Sequence, residues 1–324
     1  MPSPRKQGTV NALTVDVEDY FQVSAFAPYI ARSKWEAMPS RVEHNVERVL
    51  HLLRDAKTHA TFFTLGWIAQ RYPGLVRTIV AEGHELASHG YGHYRSTEQT
   101  RKAFLEDISR TKTLLEDISG EEVKGYRAPS FSLGKSNPWA FDCIAEAGYR
   151  YSSSVYPIRH DHYGLPDAPR FMFEPRNGLL EVPVTTMRLF GRNWPAGGGG
   201  YFRLLPYGVS RWFIRRVNAV DGQAVIFYFH PWELDPQQPR MAGIGLKTRF
   251  RHYVNLARTE HRLTRLLADF EWDRMDRVFL GGLMSRPSVA TGMSPLRSSD
   301  GTSPRPSVTR PSKALALPTR FPEP

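Results

Sequence analysis

The sequence predicts an α/β fold built on a parallel sheet, either open or closed into a barrel. Two observations carry this. Short β-branched and apolar runs alternate with stretches of helical period through most of the chain, and repeated strand–helix units build parallel sheets. Carboxylate, imidazole and guanidinium side chains then recur just after several of the strands, where α/β proteins gather their active sites.

The elements follow in order. Val10–Asp16 reads as a buried strand ending in acid. Val42, Val46, Val49, Leu50 and Leu53 recur at helical spacing, which predicts an amphipathic helix from Val42 to Lys57. Ala60–Leu65, rich in β-branched and aromatic residues, is a strand. Leu75–Glu82 is helical and stops at Gly83; His84–Ser88 is strand-like. Ser96 with Gln99 resembles a capping box opening a helix to about Ser119. Lys124–Arg127 is a strand. Pro138 suits the first turn of a helix that Gly148 ends. Tyr149–Ser153, Leu180–Val184 and Ala224–Phe229 are further strands, Thr248–Phe270 is one long helix, and Arg277–Leu280 is a last strand. Pro157–Pro206 is less regular and holds Trp194 and a Gly197–Gly200 run. No Gly-Lys-Ser/Thr follows those glycines, so they are not a phosphate loop.

Composition narrows the class. The chain has 324 residues, 41% hydrophobic and 23% charged, which suits a soluble globular protein. One cysteine, Cys143, excludes an internal disulfide and a Cys-rich metal site. The net charge of +11 is unevenly spread: Met284–Pro324 carries six basic side chains against two acidic ones. A solvated tail accounts for that excess better than a nucleic-acid surface. With its Ser-Pro and Arg-Pro steps and no apolar period, this stretch predicts a disordered basic tail over 284–324. Residues 1–8 form a flexible start and 9–283 the folded body. Met1–Gly8 lacks an apolar core behind its charges, and no run approaches a membrane span. The expected place of action is therefore the cytoplasm or the inner membrane face.

His89 and His93 stand four residues apart, close enough to meet on one metal if the backbone turns once between them. Asp16, Glu18 and Asp19 follow the first strand, Arg127 and Pro129 the fourth, and His230 with Glu233 a late one. Two imidazoles and a carboxylate make a metal site with open positions. A second carboxylate can take a proton from water and an opposed histidine can protonate a leaving amine. Asp16 is the candidate base and His230 the candidate acid. Strand alternation puts Asp16 and Glu18 on one face.

Thr14–Tyr20 (Thr-Val-Asp-Val-Glu-Asp-Tyr), Ala60-Thr61-Phe62-Phe63, Ser88 through His93, Tyr126-Arg127-Ala128-Pro129-Ser130-Phe131 and Phe229-His230-Pro231-Trp232-Glu233 resemble, in order, the motifs of the polysaccharide deacetylases, the NodB-homology group or carbohydrate esterase family 4. The Asp16–Tyr20 opening and Gly197–Arg203 look more narrowly like the branch of exopolysaccharide gene clusters with exosortase and PEP-CTERM systems, which carries a DUF3473 C-terminal region. The resemblance implies a distorted (β/α) barrel, a divalent metal, usually zinc, held by an Asp-His-His set, and removal of N-acetyl groups from a GlcNAc-type polysaccharide. It implies Asp16 as base, His230 as acid, Arg127 holding Asp16, and His89 and His93 as metal ligands. The backbone N–H of Ser130 would help bind the oxyanion, with Pro129 and Trp232 beside the sugar. The third metal ligand is either Glu18 or Asp19, because the family's adjacent Asp-Asp is replaced here by Asp16-Val17-Glu18-Asp19. Where the family usually carries an aspartate near Tyr151, this chain has Ser152-Ser153-Ser154. The other functions considered are a catalytically silent carbohydrate-binding protein and a cyclic-amide hydrolase resembling the allantoinase-like relatives.

Overall fold

β1 (Asn11–Val17) has no exposed residue along its length, as expected for the central strand of a parallel sheet covered on both faces. This computed structural model describes residues 8–161, 163–176 and 178–281; the tail expected over 284–324 and most of the flexible start lie outside them. α1 (Val42–Asp55) follows and buries Val42, Val46, Val49, Leu50 and Leu53 on one stripe, the 3.6-residue period at work. β2 (Thr61–Thr64) leads into α2 (Gly66–Arg71) and α3 (Pro73–Ala81), and β3 (Glu85–Ser88) into α4 (Arg101–Ser119). Thr100, rather than Ser96, caps α4: its hydroxyl accepts the N–H of Ala103 at 3.2 Å. Ser96 opens only a single 3₁₀ turn, Ser96–Glu98, and its hydroxyl donates to the Ser132 carbonyl at 2.8 Å. Gly120, at φ 71°, ends α4 in the left-handed conformation.

The chain continues through β4 (Gly125–Tyr126), α5 (Trp139–Glu146), β5 (Tyr151–Ser152), β6 (Phe173–Arg176) and β7 (Leu179–Glu181). The irregular region then yields a hairpin, β8 (Thr186–Leu189) and β9 (Arg192–Pro195), followed by α6 (Gly199–Leu204) and α7 (Tyr207–Arg216). β10 (Ile226–Phe229) precedes two helices, α8 (Leu246–Tyr253) and α9 (Leu256–Asp269). The single long helix expected there is interrupted at Asn255, whose φ of 53° is left-handed. The last strand, β11, is Trp272–Asp273, whereas Arg277–Leu280, expected as strand, falls in a π-helical turn over Asp276–Leu280.

The strand order is β10-β1-β2-β3-β4-β5-β7-β6, with β11 also on β1. All these pairings are parallel except the β6–β7 pair. Irregular backbone completes the ring. Val184 N–H donates to Val155 O, Ala196 N–H to Thr185 O, and Tyr228 N–H to Gly197 O at 2.7 Å. The result is the distorted (β/α) barrel, its seam made by the glycine run. Gly198 sits at φ 106°, and a Cβ there would lie 2.2 Å from the Tyr228 carbonyl oxygen, so this close approach requires glycine.

The outer face of β1 (Leu13, Val15, Val17) packs with Val46, Val49, Leu53 and Phe62 beneath the helices. The inner face carries Ala12, Thr14 and Asp16. Ala12, Phe63, Ala87, Tyr151, Val182 and Ile226 fill the lower interior, so the polar groups sit above an apolar floor. Among the described residues, no helix is long and apolar enough to cross a membrane.

Candidate metal and catalytic site

Arg127 leaves β4 into the barrel interior and is fully buried. A buried guanidinium needs partners for its five N–H groups. Its Nη1 donates to Asp16 Oδ1 at 2.6 Å and to Thr14 Oγ1 at 2.8 Å. Nε reaches the Ser153 carbonyl at 3.1 Å and Nη2 the Ser153 hydroxyl at 3.0 Å. The guanidinium carbon lies 4.0 Å from the Phe63 ring centroid. The Asp16 carboxylate is thereby fixed from one side by a rigid cation.

Two residues on, Glu18 meets three imidazoles. Its Oε1 lies 3.1 Å from His89 Nε2, 2.9 Å from His93 Nε2 and 3.8 Å from His230 Nε2. Glu18, His89 and His93 are all buried, and their ligand atoms fall within 4.8 Å of one another. The orientation of His89 follows from its partner: the Arg127 carbonyl, 2.8 Å from Nδ1, can only accept, so Nδ1 carries a proton and Nε2 is the nitrogen turned to the cluster. That is the orientation a metal-ligating imidazole needs. One carboxylate and two buried imidazoles, one with its orientation already set, fit a divalent cation. Burial would raise the Glu18 carboxyl, but the His93 and His230 charges and the His89 and His93 hydrogen bonds hold it well below the usual range.

Asp19, the other carboxylate considered for the metal, lies outside this group. Its Oδ2 accepts the Ser40 hydroxyl at 2.8 Å and the backbone N–H groups of Arg41 and Val42 at 2.7 and 3.1 Å. It thus caps the N-terminus of α1 from a distance, where Arg41 offers no side-chain cap. Burial raises its pKa, against those hydrogen bonds.

The histidine pair does not ride on a helical turn. Gly90 (φ 71°) and His93 (φ 53°) both take left-handed backbone, and the intervening loop is pinned from outside. Arg32 donates to the Gly92 and His93 carbonyls at 2.7 and 2.9 Å. Asp107 of α4 accepts the Tyr91 N–H at 3.1 Å. Neither residue stands out in the sequence, because each acts on backbone groups far along the chain. A cavity of about 70 Å³ opens beside His93, with Phe21, Ser24, Arg32 and Trp35 among its walls.

His230 ends β10. Its Nδ1 lies 2.7 Å from Glu233 Oε1, and Glu233 Oε2 accepts Arg203 Nε at 2.6 Å. Burial works against a charged His230, but Glu18 and Glu233 outweigh it and push the ring up to about 9. Glu233 is brought down to about 2, burial being overcome by Arg203 and His230. Trp232, expected beside the sugar, is 4% exposed. It stacks between His230 (centroids 5.2 Å) and His252 (4.2 Å), so it backs the histidine and offers no open face. Pro129 is buried. Ser130 has φ 56°, and its hydroxyl touches that of Ser24, on the wall of the cavity beside His93.

Residues 33–152 match the family described as polysaccharide deacetylase, and residues 153–280 match a domain of unknown function, DUF3473. Over 103 residues the chain is 35% identical to a peptidoglycan-N-acetylglucosamine deacetylase from Bacillus cereus, covering 32% of this chain and 46% of that protein. Over 113 residues it is 26% identical to a peptidoglycan deacetylase from Helicobacter pylori, covering 35% of this chain and 38% of that one. The match thus spans less than half the length of either relative. A crystal structure of a candidate polysaccharide deacetylase from Mycobacterium smegmatis is similar in fold, with a TM-score of 0.56 at 20% identity, covering 92% of this chain and 98% of that chain. His89, His93 and Arg127 lie in the first matched region and His230 in the second, while Asp16 and Glu18 precede both. Residues 33–152 are thus similar to the polysaccharide deacetylases and residues 153–280 to the DUF3473 family, and both matches fall within one compact unit, Met1–Ser285.

Proposed function

We propose that this chain is a metal-dependent hydrolase that removes N-acetyl groups from a GlcNAc-type polysaccharide, or its precursor, in exopolysaccharide biosynthesis, with zinc as the metal. The observation that carries the reading is the Glu18–His89–His93 cluster, with an arginine-held carboxylate two residues before Glu18 and a third imidazole, His230, turned to the same Glu18 oxygen. A zinc ion held by those three residues would polarise the acetamide carbonyl and make water acidic enough to attack near neutral pH.

The chain's own residues do the rest. Asp16, oriented by Arg127, takes the proton of the attacking water as its oxygen adds to the carbonyl carbon. The Ser130 N–H donates to the oxygen that gains charge. His230 gives its Nε2 proton to the amide nitrogen as the C–N bond breaks, leaving acetate and a free amino sugar. The Glu233 carboxylate at Nδ1, 2.7 Å away, favours the protonated ring.

The test is acetate release from chitooligosaccharides and from peptidoglycan-derived glycans, with and without chelator, alongside the zinc content of the purified protein. His89→Ala and Asp16→Asn should each lower turnover by at least about a hundredfold. Full activity in either variant, or acetate release indifferent to chelation, would sink the reading.

A further inference from the structure

We propose that Glu233, clamped by Arg203, is the positioning residue for His230, so that the DUF3473 region brings its own orienting pair for the acid. This rests on the reading of His230 as the proton donor.

The geometry is closed on every side. Glu233 is 1% exposed and Arg203 3%. Glu233 Oε1 accepts both the Nδ1–H of His230, at 2.7 Å, and the His230 backbone N–H, at 3.1 Å. Arg203 holds the other oxygen and also donates to the His252, Val254 and Arg251 carbonyls at 2.8, 3.1 and 3.1 Å. The guanidinium cannot swing away without leaving three carbonyls unpaired. An ionised carboxylate only accepts, so the imidazole must present its Nδ1–H to Glu233. The remaining nitrogen, Nε2, then points at the cluster, 3.8 Å from Glu18. The stacked Trp232 ring restrains rotation. Fixing one ring nitrogen to define the task of the other is the usual way a histidine is committed to acid work.

A second observation agrees. The Ser152–Ser154 stretch brings no carboxylate to His230 and is engaged elsewhere. Ser153 serves Arg127, and the Ser154 hydroxyl accepts the Ala128 N–H at 2.9 Å. Arg203 itself is delivered by α6, which begins at Gly199 directly after the barrel seam. The glycine run, for which the sequence suggested no chemistry, thus ends in the clamp.

The experiment uses the full chain. Nitrogen-15 NMR of labelled histidines, with His230 assigned by loss of its signal in His230→Asn, should show a protonated, hydrogen-bonded Nδ1 in the metal-free protein. Glu233→Gln should lower kcat by roughly a hundredfold or more with KM little changed. Its zinc content should match the wild type, and the alkaline limb of its kcat–pH profile should move to lower pH. Arg203→Gln, which leaves the carboxylate but frees it to move, should also lower kcat with KM and zinc content little changed. A folded Glu233→Gln protein with kcat within about threefold of wild type overturns the proposal, and so does a bare Nδ1 in the wild type. If Glu233→Gln does not fold, the wild-type tautomer decides alone. Failure of the wild type to release acetate from any N-acetylated glycan would instead overturn the deacetylase reading.

Discussion

At the scale of single residues, Glu18 and Asp19 show how neighbouring carboxylates are divided. Leaving the strand turns their side chains apart: Glu18 keeps the inward face shared with Asp16, while Asp19 meets the first N–H groups of α1. In the sequence, alternation points to Glu18 and residue type to Asp19, and the two signals conflict because the choice is made by where α1 begins in space. The inward face of β1, and Asp16 with it, was readable from alternation alone. Two outcomes follow. Glu18→Gln should abolish tight zinc retention after dialysis, measured by elemental analysis, with little loss of fold. Asp19→Ala should retain zinc but lower unfolding free energy in urea by about 1–3 kcal/mol, since it strands buried N–H groups at a helix start. The opposite pairing of metal loss and stability loss would reverse the assignment. Trp232 carries a related lesson. An aromatic beside a catalytic histidine suggests sugar stacking, but its two faces are covered by His230 and His252, a fact no spacing can convey.

At the scale of elements, strands and helices with a clear period were legible to within a few residues, as α1 and β2 illustrate. The failures have specific causes. The apolar period of α8 continues into α9, so the sequence reads as one helix, and the break depends on one left-handed residue, Asn255. Val278, Phe279 and Leu280 have strand-like composition, yet they follow a turn that locks the chain: Arg274 and Asp276 pair at 2.7 Å. The β8–β9 hairpin was hidden by its mixed composition. Its turn takes positive φ at Phe190 (50°) and Gly191 (71°), the two-residue geometry that suits a hairpin, but Phe-Gly is a weak signal for it. The glycine seam gives the sharpest element-level expectation. Gly198→Ala forces a Cβ against the Tyr228 carbonyl in a conformation L-residues avoid, so the protein should lose about 2 kcal/mol or more, read from its urea midpoint. Unchanged stability would mean that the seam does not depend on that contact. Thr100→Ala offers a milder control: loss of the α4 cap should cost about 1 kcal/mol.

At the scale of the whole molecule, the candidate site is assembled from three stretches: the end of β1, the region that matches the polysaccharide deacetylases and the region that matches DUF3473. The sequence showed the residues of all three but not the pairing that joins them, since Glu233 and Arg203 are 30 residues apart with no pattern linking them. Stability against acid is also a global property with an identifiable local source. His84 is 5% exposed, and its Nδ1 accepts the Ala60 N–H at 3.2 Å, across from the start of β2. Burial first, then the nearby His59 and Arg274 charges, lower its pKa from 6.5 to about 4. The folded state therefore refuses a proton that the unfolded chain takes. Its contribution is complete above 6.5 and is lost as the pH falls toward 4, by roughly 3 kcal/mol at most. His84→Asn, which keeps an acceptor and removes the titration, should flatten the decline in urea stability between pH 7 and pH 4.5 relative to wild type. An equal decline in both proteins would assign the acid sensitivity elsewhere.

The position of β1 bears finally on how the chain comes to be folded. Its neighbour on one edge, β10, is among the last strands made, and β11 joins the start of its other edge later still; the Thr14 hydroxyl reaches the Phe227 carbonyl across 213 residues. During synthesis the first strand to emerge must wait for the last, with one hydrogen-bonding edge open throughout. Contacts of such long range slow folding, and an open apolar edge invites pairing with another chain. A truncation anywhere before β10 should therefore yield aggregates, read by size-exclusion chromatography, and no smaller soluble form.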